Sequence, residues 1–209
     1  MRAIAAAFAL LGLAVSLAAC KPAGGPGAVA SGDMSLGNPN AKVTVAEYAS
    51  LGCPICAKWN SDNFAAFKAK YVDTGRVRYV LKEMLTGDEP VAAAGFLLAR
   101  CAGKDKYFQV VDAVWRQEQD LLEQPNAGPA QRDRLLKVGE SAGMTDPQIS
   151  ACISDADALT ALNKRIDDSA QAAHIDSTPT FVVNGKALTG YEDMAALDKA
   201  ITEAEAAAK

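Results

Sequence analysis

This chain of 209 residues has a single histidine, His174, and only five cysteines. That scarcity weighs against a structural zinc site, which takes four Cys or His ligands. One C-x-x-C is present, at Cys53 and Cys56, but no second C-x-x-C and no histidine pair completes it. Basic residues are outnumbered too: 21 Lys and Arg stand against 25 Asp and Glu, a formal net charge of −4. That balance gives no basic footprint for nucleic acid. Beyond the first 19 residues no stretch is long and apolar enough to span a membrane, since a spanning helix needs about 20 apolar residues. No internal repeat is found. Half of the chain is apolar, and its length suffices for one domain with a real core.

What is present centres on Gly52-Cys53-Pro54-Ile55-Cys56. Before it runs Val43 to Ala49, which reads as a buried strand. After it Ala57, Phe64, Phe67 and Tyr71 recur at helix-compatible spacings. The two cysteines therefore sit where a strand gives way to a helix. Pro54 suits the first helical position, because its missing N–H finds no partner there in any case. Cys53 then stands at the helix N-terminus. Free N–H groups and the positive end of the dipole favour thiolate over thiol there. The thiolate is the species that attacks disulfides. Strand, C-x-x-C and helix in that order is a redox arrangement. The competing reading is half of a zinc site.

The N-terminus is not read as fold. Arg2 precedes a run of small and apolar residues from Ala3 to Ala19. That is a charged n-region, a short apolar h-region and small residues at a cleavage point. Leu17-Ala18-Ala19-Cys20 resembles a bacterial lipoprotein signal, which implies that Cys20 is lipidated and becomes the mature N-terminus. Lys21 after that cysteine resembles a signal for outer-membrane retention. The alternative is an ordinary signal peptide that leaves Cys20 free, and an exposed thiol is a liability on an exported protein. Export places the chain where disulfides form and persist. With Cys20 set aside, four cysteines allow three pairings. The one that respects the C-x-x-C leaves Cys101 with Cys152. Two separate buried thiols are the alternative.

Along the chain, Lys21 to Asp33 is rich in Gly, Ala and Pro and reads as a flexible tether. The folded part begins near Ser35. A first helix is expected from Pro54 to Val72, stopping near Gly75, and a second strand from Arg76 to Lys82. Strand, helix and strand with such short links predict a parallel βαβ unit. Helices follow over Val91–Ala102, Asp105–Gln117, from Pro129 to before Gly143, over Asp146–Ser154 capped by Thr145, and over Asp157–Ala173. Thr180 to Val183 is a strand, Asn184-Gly185 a hairpin turn, and Lys186 to Leu188 the return. A last amphipathic helix runs from Glu192 to Ala206. The order is βαβ, a helical block, then ββα.

Three features together resemble the DsbA family, a thioredoxin fold with an inserted helical domain. They are Cys53-Pro54-Ile55-Cys56, Ser177-Thr178-Pro179-Thr180-Phe181 with Asn184-Gly185, and the order of elements. The likeness covers about residues 36–207. It implies an α/β thioredoxin-like domain at 35–86 and 175–209, with a helical domain inserted at 87–174. Residues 1–19 are then a signal peptide, and 20–34 the lipid anchor and tether. It implies that Cys53 is the nucleophile and Cys56 the resolving thiol. Pro179 becomes a cis-proline facing them, with Thr178 offering its backbone to a substrate strand. A plain trans turn into the strand is the alternative at Pro179. Glu47 lies six positions before Cys53, where the family places a buried acid that relays the resolving thiol's proton. The alternative there is a Glu pointing to water. Some relatives also hold a disulfide in the helical block, which fits Cys101 and Cys152. Trp59 either lines a peptide groove or packs, and His174 reads as a surface residue at a helix end.

Two departures from the family pattern bear on its redox poise. Ile55 stands where a positively charged histidine is usual, and Thr178 where Val is frequent. Pro54 and Ile55 are thus the tuning residues, and strong oxidase activity is not expected. The sequence predicts a lipid-anchored thiol–disulfide oxidoreductase on the periplasmic side of a bacterial envelope, at its outer membrane. Its partners are cysteine-containing exported proteins and a membrane redox partner of the DsbB or DsbD type, with no nucleic acid. No metal or organic cofactor is implied. A reductase or isomerase kept reduced by a membrane donor is one rival. A thioredoxin-fold copper-binding module is the other; thiolates suit Cu(I), but no Met or His cluster flanks the motif.

Overall fold

The computed structural model describes residues 25–123, 131–188 and 193–208. The expectations placed on residues 1–24, Cys20 among them, and on Glu192 lie outside the described residues. A five-stranded sheet runs through the middle in the order β1-β3-β2-β4-β5. These strands are β1 Met34–Leu36, β2 Val43–Ala49, β3 Val77–Glu83, β4 Thr180–Val183 and β5 Lys186–Ala187. β2 is parallel to β3 and antiparallel to β4. It is covered on both faces, which is why its sequence is a near-continuous apolar run rather than an alternation. Val45 and Ala49 join the larger core, whereas Ala46 and Tyr48 join a smaller one on the opposite face. β1 is not signalled in the sequence, because three residues are too few to show a period. It pairs antiparallel with β3, Met34 opposite Leu81.

The helical run after the motif covers Pro54 to Val72 as expected, but it is not uniform. α1 (Pro54–Trp59) and α2 (Ala65–Phe67) are each followed by a π-helical turn, Asn60–Phe64 and Lys68–Val72. The wider turns have a packing consequence. Trp59 and Phe67 are both fully buried, eight positions apart. At 3.6 residues per turn, that spacing turns the second side chain about 80° away from the first. One π turn between them restores the alignment. The aromatic centre is then Trp59 tilted against Phe181, centroids 4.6 Å apart, and edge-on to Phe67 at 6.1 Å. Trp59 thus packs rather than lining a groove.

Between β3 and β4 lie α3 (Glu89–Cys101), α4 (Tyr107–Glu123), α5 (Gln131–Ser141), α6 (Asp146–Ile153) and α7 (Ala156–Ala173). Short polar side chains start them. Asp88 accepts from Val91 N–H and Asp155 from Ala158 N–H, which satisfies donors that a helix start leaves open. Thr145 and Gln148 form a capping box on α6. Cys101 and Cys152 are disulfide-bonded, tying the end of α3 to α6 with their Cα atoms 6.1 Å apart. His174 ends α7 in a left-handed conformation and is exposed. α8 (Met194–Ala207) buries Leu197 and Ile201.

The tether expected over Lys21–Asp33 gives way to packed chain from Gly25 onward. Lys82, 3% exposed, donates to the Ala28 carbonyl at 2.7 Å and to the Asp33 carboxylate at 2.5 Å. Gly27 N–H donates to the Tyr48 hydroxyl at 3.3 Å. Gly27 has φ +73°, and a Cβ there would lie 2.7 Å from Val182 Cγ1. The small residues that look like a linker are those that let backbone lie flat on a sheet.

Candidate active site

β2 delivers the chain to a buried turn, Ser50-Leu51-Gly52. The Ser50 hydroxyl donates to Thr86 C=O at 2.8 Å and accepts from the N–H groups of Gly52 and Thr86, each at 3.2 Å. Trp115 Nε1 donates to Ser50 C=O at 3.0 Å. The loop after β3 crosses this turn so closely that neither partner admits a side chain. A Cβ on Gly52 would fall 2.1 Å from Asp88 O, and one on Gly87 2.0 Å from Gly52 O. The turn that carries the motif is thereby fixed on three sides before the helix begins.

Cys53 is the N-cap of α1. Its Sγ accepts from Cys56 N–H at 3.4 Å and lies 3.6 Å from Thr178 O. Both thiols are free, but they are not equivalent. Cys53 is 6% exposed and flanked by exposed Pro54 and Ile55, whereas Cys56 is wholly buried. The Cys56 thiol, donating to the Cys53 sulfur, does most to hold the Cys53 pKa down, at about 6, against burial. Thr178 and the Cys56 and Ile55 N–H groups add to the effect. Burial, then Cys53 itself, pushes the Cys56 thiol far up. One sulfur is thus a thiolate at neutral pH and the other a thiol, as the helix position of Cys53 predicts.

The Thr178–Pro179 peptide bond is cis. Pro179 is buried and Thr178 half-buried. The Thr178 hydroxyl meets that of Thr86 at 2.6 Å. Glu47 is fully buried, so it does not point to water. Tyr79 donates its hydroxyl to Glu47 Oε2 at 2.7 Å, and among the described residues Oε1 has no hydrogen-bond partner. Burial raises the Glu47 pKa to about 8; the Tyr79 bond pulls it down and Cys53 charge pushes it up. Among the described residues no group of three Cys, His, Asp or Glu side chains could hold a metal.

The structure thus gathers Cys53, Cys56, Pro54, Ile55, Thr178, Pro179 and Glu47. It also adds Ser50, Tyr79 and Thr86, which the sequence did not single out. Tyr79 was legible only as part of the strand expected over Arg76 to Lys82. Its meeting with Glu47 depends on the parallel register, in which Val45 lies beside Tyr79 and Glu47 beside Leu81.

Comparison with known proteins covers the same stretch. A family model described as Thioredoxin matches residues 30–203. A Rickettsia bellii protein that carries a protein-disulfide oxidoreductase name is 33% identical over 176 residues, 83% of this chain and 66% of its own length. The Rickettsia conorii counterpart is 31% identical over 85% of this chain and 63% of its own length. The chain therefore spans less than two thirds of these relatives. Disulfide bond formation protein D of Bacillus subtilis is 26% identical over 78% of this chain and 72% of that protein. Among solved structures, Wolbachia pipientis alpha-DsbA1 superposes with a TM-score of 0.75 at 22% identity, covering 86% of this chain and 94% of that one. Oxidised BdbD from Bacillus subtilis gives a TM-score of 0.62 at 22% identity, over 86% and 96%. The matched span takes in the motif helix, the cis-proline loop and the helices between β3 and β4, so the chain belongs to the thioredoxin family and has the DsbA-like form of its fold, with a helical region inserted.

Proposed function

We propose that this protein is a thiol–disulfide oxidoreductase that exchanges disulfides with other proteins. The observation that carries the reading is the split between the two sulfurs: Cys53, 6% exposed beside exposed Pro54 and Ile55, with its pKa near 6, and Cys56, wholly buried, with its thiol pushed far up. In the reducing direction the Cys53 thiolate attacks one sulfur of a substrate disulfide. The S–S bond breaks and the other substrate sulfur leaves as a thiolate, forming a mixed disulfide. Cys56 then loses its proton and attacks Cys53 Sγ. The second substrate sulfur departs, and two electrons have passed from the Cys53–Cys56 pair to the substrate. Run backwards, the same steps oxidise a substrate dithiol. Exposed Ile55 and the backbone beside Pro179 form the surface an extended substrate meets. A copper site has less support, because no Met or His cluster flanks the Cys53–Cys56 motif.

The redox poise follows from the thiolate. A pKa near 6 lies between about 7 for thioredoxin and about 3.5 for a strong oxidant. The potential expected is intermediate, roughly −200 mV. That poise leaves exchange with a DsbB-like or DsbD-like membrane partner open in both directions. The finer reading is a periplasmic protein anchored through lipidated Cys20. It is supported by the signal-like residues 1–19 and by the Cys101–Cys152 disulfide, a bond that persists in oxidising compartments. Trapping tests the chemistry. Cys56→Ser is expected to accumulate mixed disulfides with exported proteins, resolved by non-reducing electrophoresis, and Cys53→Ser is not. Equal trapping by the two variants sinks the assignment.

A further inference from the structure

The buried acid beside the thiols is held by one oxygen only. Glu47 Oε2 accepts from Tyr79 at 2.7 Å, while Oε1 is buried with no hydrogen-bond partner among the described residues. A buried carboxyl oxygen left unpaired is costly unless it has a task. Glu47 also stands within electrostatic reach of both sulfurs, for charge on Cys53 acts on it and its own charge acts on Cys56. We infer that Tyr79 is a positioning residue for exchange: it occupies Oε2 of Glu47 and leaves Oε1 as the single oxygen that takes the Cys56 proton during resolution. The inference rests on the exchange reading and deepens it.

The step balances without an outside reactant. The Cys56 S–H proton passes to Glu47 Oε1, directly or through one water, giving a thiolate and a carboxylic acid. The thiolate attacks Cys53 Sγ of the mixed disulfide, and the substrate sulfur leaves with the bond's electron pair. Glu47 later returns its proton to solvent or to the leaving thiolate. A donor on Oε2 favours the ionised carboxyl, so Tyr79 raises the fraction of Glu47 able to act as base. Without it, burial drives the acid further from ionisation.

Among the described residues Tyr79 is the one side chain that hydrogen-bonds Glu47. Across the sheet the register neighbours are Leu81 and Phe181, which carry no charge. From α1 and its N-cap the titratable groups are Cys56 and Cys53, while Lys58 of that helix is exposed and pairs with Asp62. From β3 they are Tyr79 and, farther along, Glu83, whose carboxylate is engaged by Arg100 and Tyr107. From α4 Tyr107 acts on Tyr79. Lys82 and Tyr48 alternate to the opposite face. The Tyr79 ring itself is locked between Phe64, Phe67 and Phe108, with centroids 5.2, 5.8 and 5.9 Å away. Its hydroxyl can therefore be removed with the ring left in place.

The test reads the resolution step alone. Mixed disulfide is formed on Cys53 with a chromogenic aromatic thiol, and its release by Cys56 is followed against pH. Tyr79→Phe is expected to move the midpoint of that profile up by about one to two pH units, the size of a hydrogen bond to a charged group. In a Glu47→Gln background Tyr79→Phe moves nothing further. 3-Fluorotyrosine incorporated at position 79 is a stronger donor and moves the midpoint down, which keeps the proposal testable should the Phe variant not fold. An unmoved profile, or an equal shift with and without Glu47, overturns it. Trapping by Cys56→Ser in the same preparations separates the two claims: if trapping fails, the exchange reading fails; if it succeeds with an unmoved profile, only the role of Tyr79 fails.

Discussion

A carboxylic acid that keeps its proton in the folded state until about pH 8 taxes stability in a defined window. The unfolded chain ionises Glu47 near its ordinary pKa, so between about 4.5 and 8 the native state binds the extra proton. Stability therefore falls as pH rises through that window. Cys53 runs the other way in the reduced protein. Its folded pKa near 6 lies below that of a free thiol, so its contribution is absent below pH 6 and grows toward pH 9. Glu47→Gln removes the first effect, leaves the second and keeps an acceptor for Tyr79. It is expected to stabilise the protein by on the order of 3 kcal/mol at pH 7, with no gain at pH 4. Denaturant midpoints across that range check it, and a gain independent of pH contradicts it. Much of this site was legible at the residue scale. Cys53, Pro54 and Cys56 are neighbours in sequence, and a helix start acts locally. Glu47 and Tyr79 were not legible as a pair, because 32 positions separate them and only strand register joins them.

Elements were legible where they were long and periodic. The motif helix, α7 and the β4 hairpin fall within a residue or two of expectation. α4 extends to Glu123, past the expected Gln117, and β1 and the π turns were invisible to periodicity. The crossing of two loops at Gly52 and Gly87 lay equally beyond it, since Thr86-Gly87-Asp88 reads as an ordinary turn. That crossing yields a prediction. Gly87 has φ +72°, and its Cβ would be driven into the Gly52 carbonyl, backbone that cannot swing aside. Gly87→Ala is expected to cost more than about 2 kcal/mol, a size reserved for backbone conflicts and core damage. It should also blunt the reactivity difference between the two thiols. Alkylation rates of Cys53 and Cys56 report the second effect, and an unperturbed ratio shows that the crossing does not set the motif's geometry.

The whole molecule joins a redox end to a differently built opposite end. β2 carries Thr44 at one end and leads to Cys53 at the other, with about 17 Å of strand between Thr44 and Ala49. The proposed lipidation of Cys20 belongs to this scale. Cys20→Ala is expected to leave the insulin-reduction rate unchanged and to move the protein from the membrane to the soluble fraction; unchanged sedimentation with membranes argues against the anchor. The fold class was legible from the order of elements together with the Cys53-Pro54-Ile55-Cys56 and Thr178-Pro179-Thr180-Phe181 stretches, whereas the docking of residues 25–33 was not. Small residues give the same composition to a free linker and to a chain pressed on a sheet. That docking fixes a direction. Pro26 comes within 3.8 Å of where a Cβ on Gly185 would stand, at the turn between β4 and β5. Gly25 therefore lies beside Thr44 and Gly185, whereas β2 leads to Cys53 from its other end. A probe attached at Gly25 itself would stand across the sheet from the thiols, so labelling there is expected to leave their reactivity unchanged.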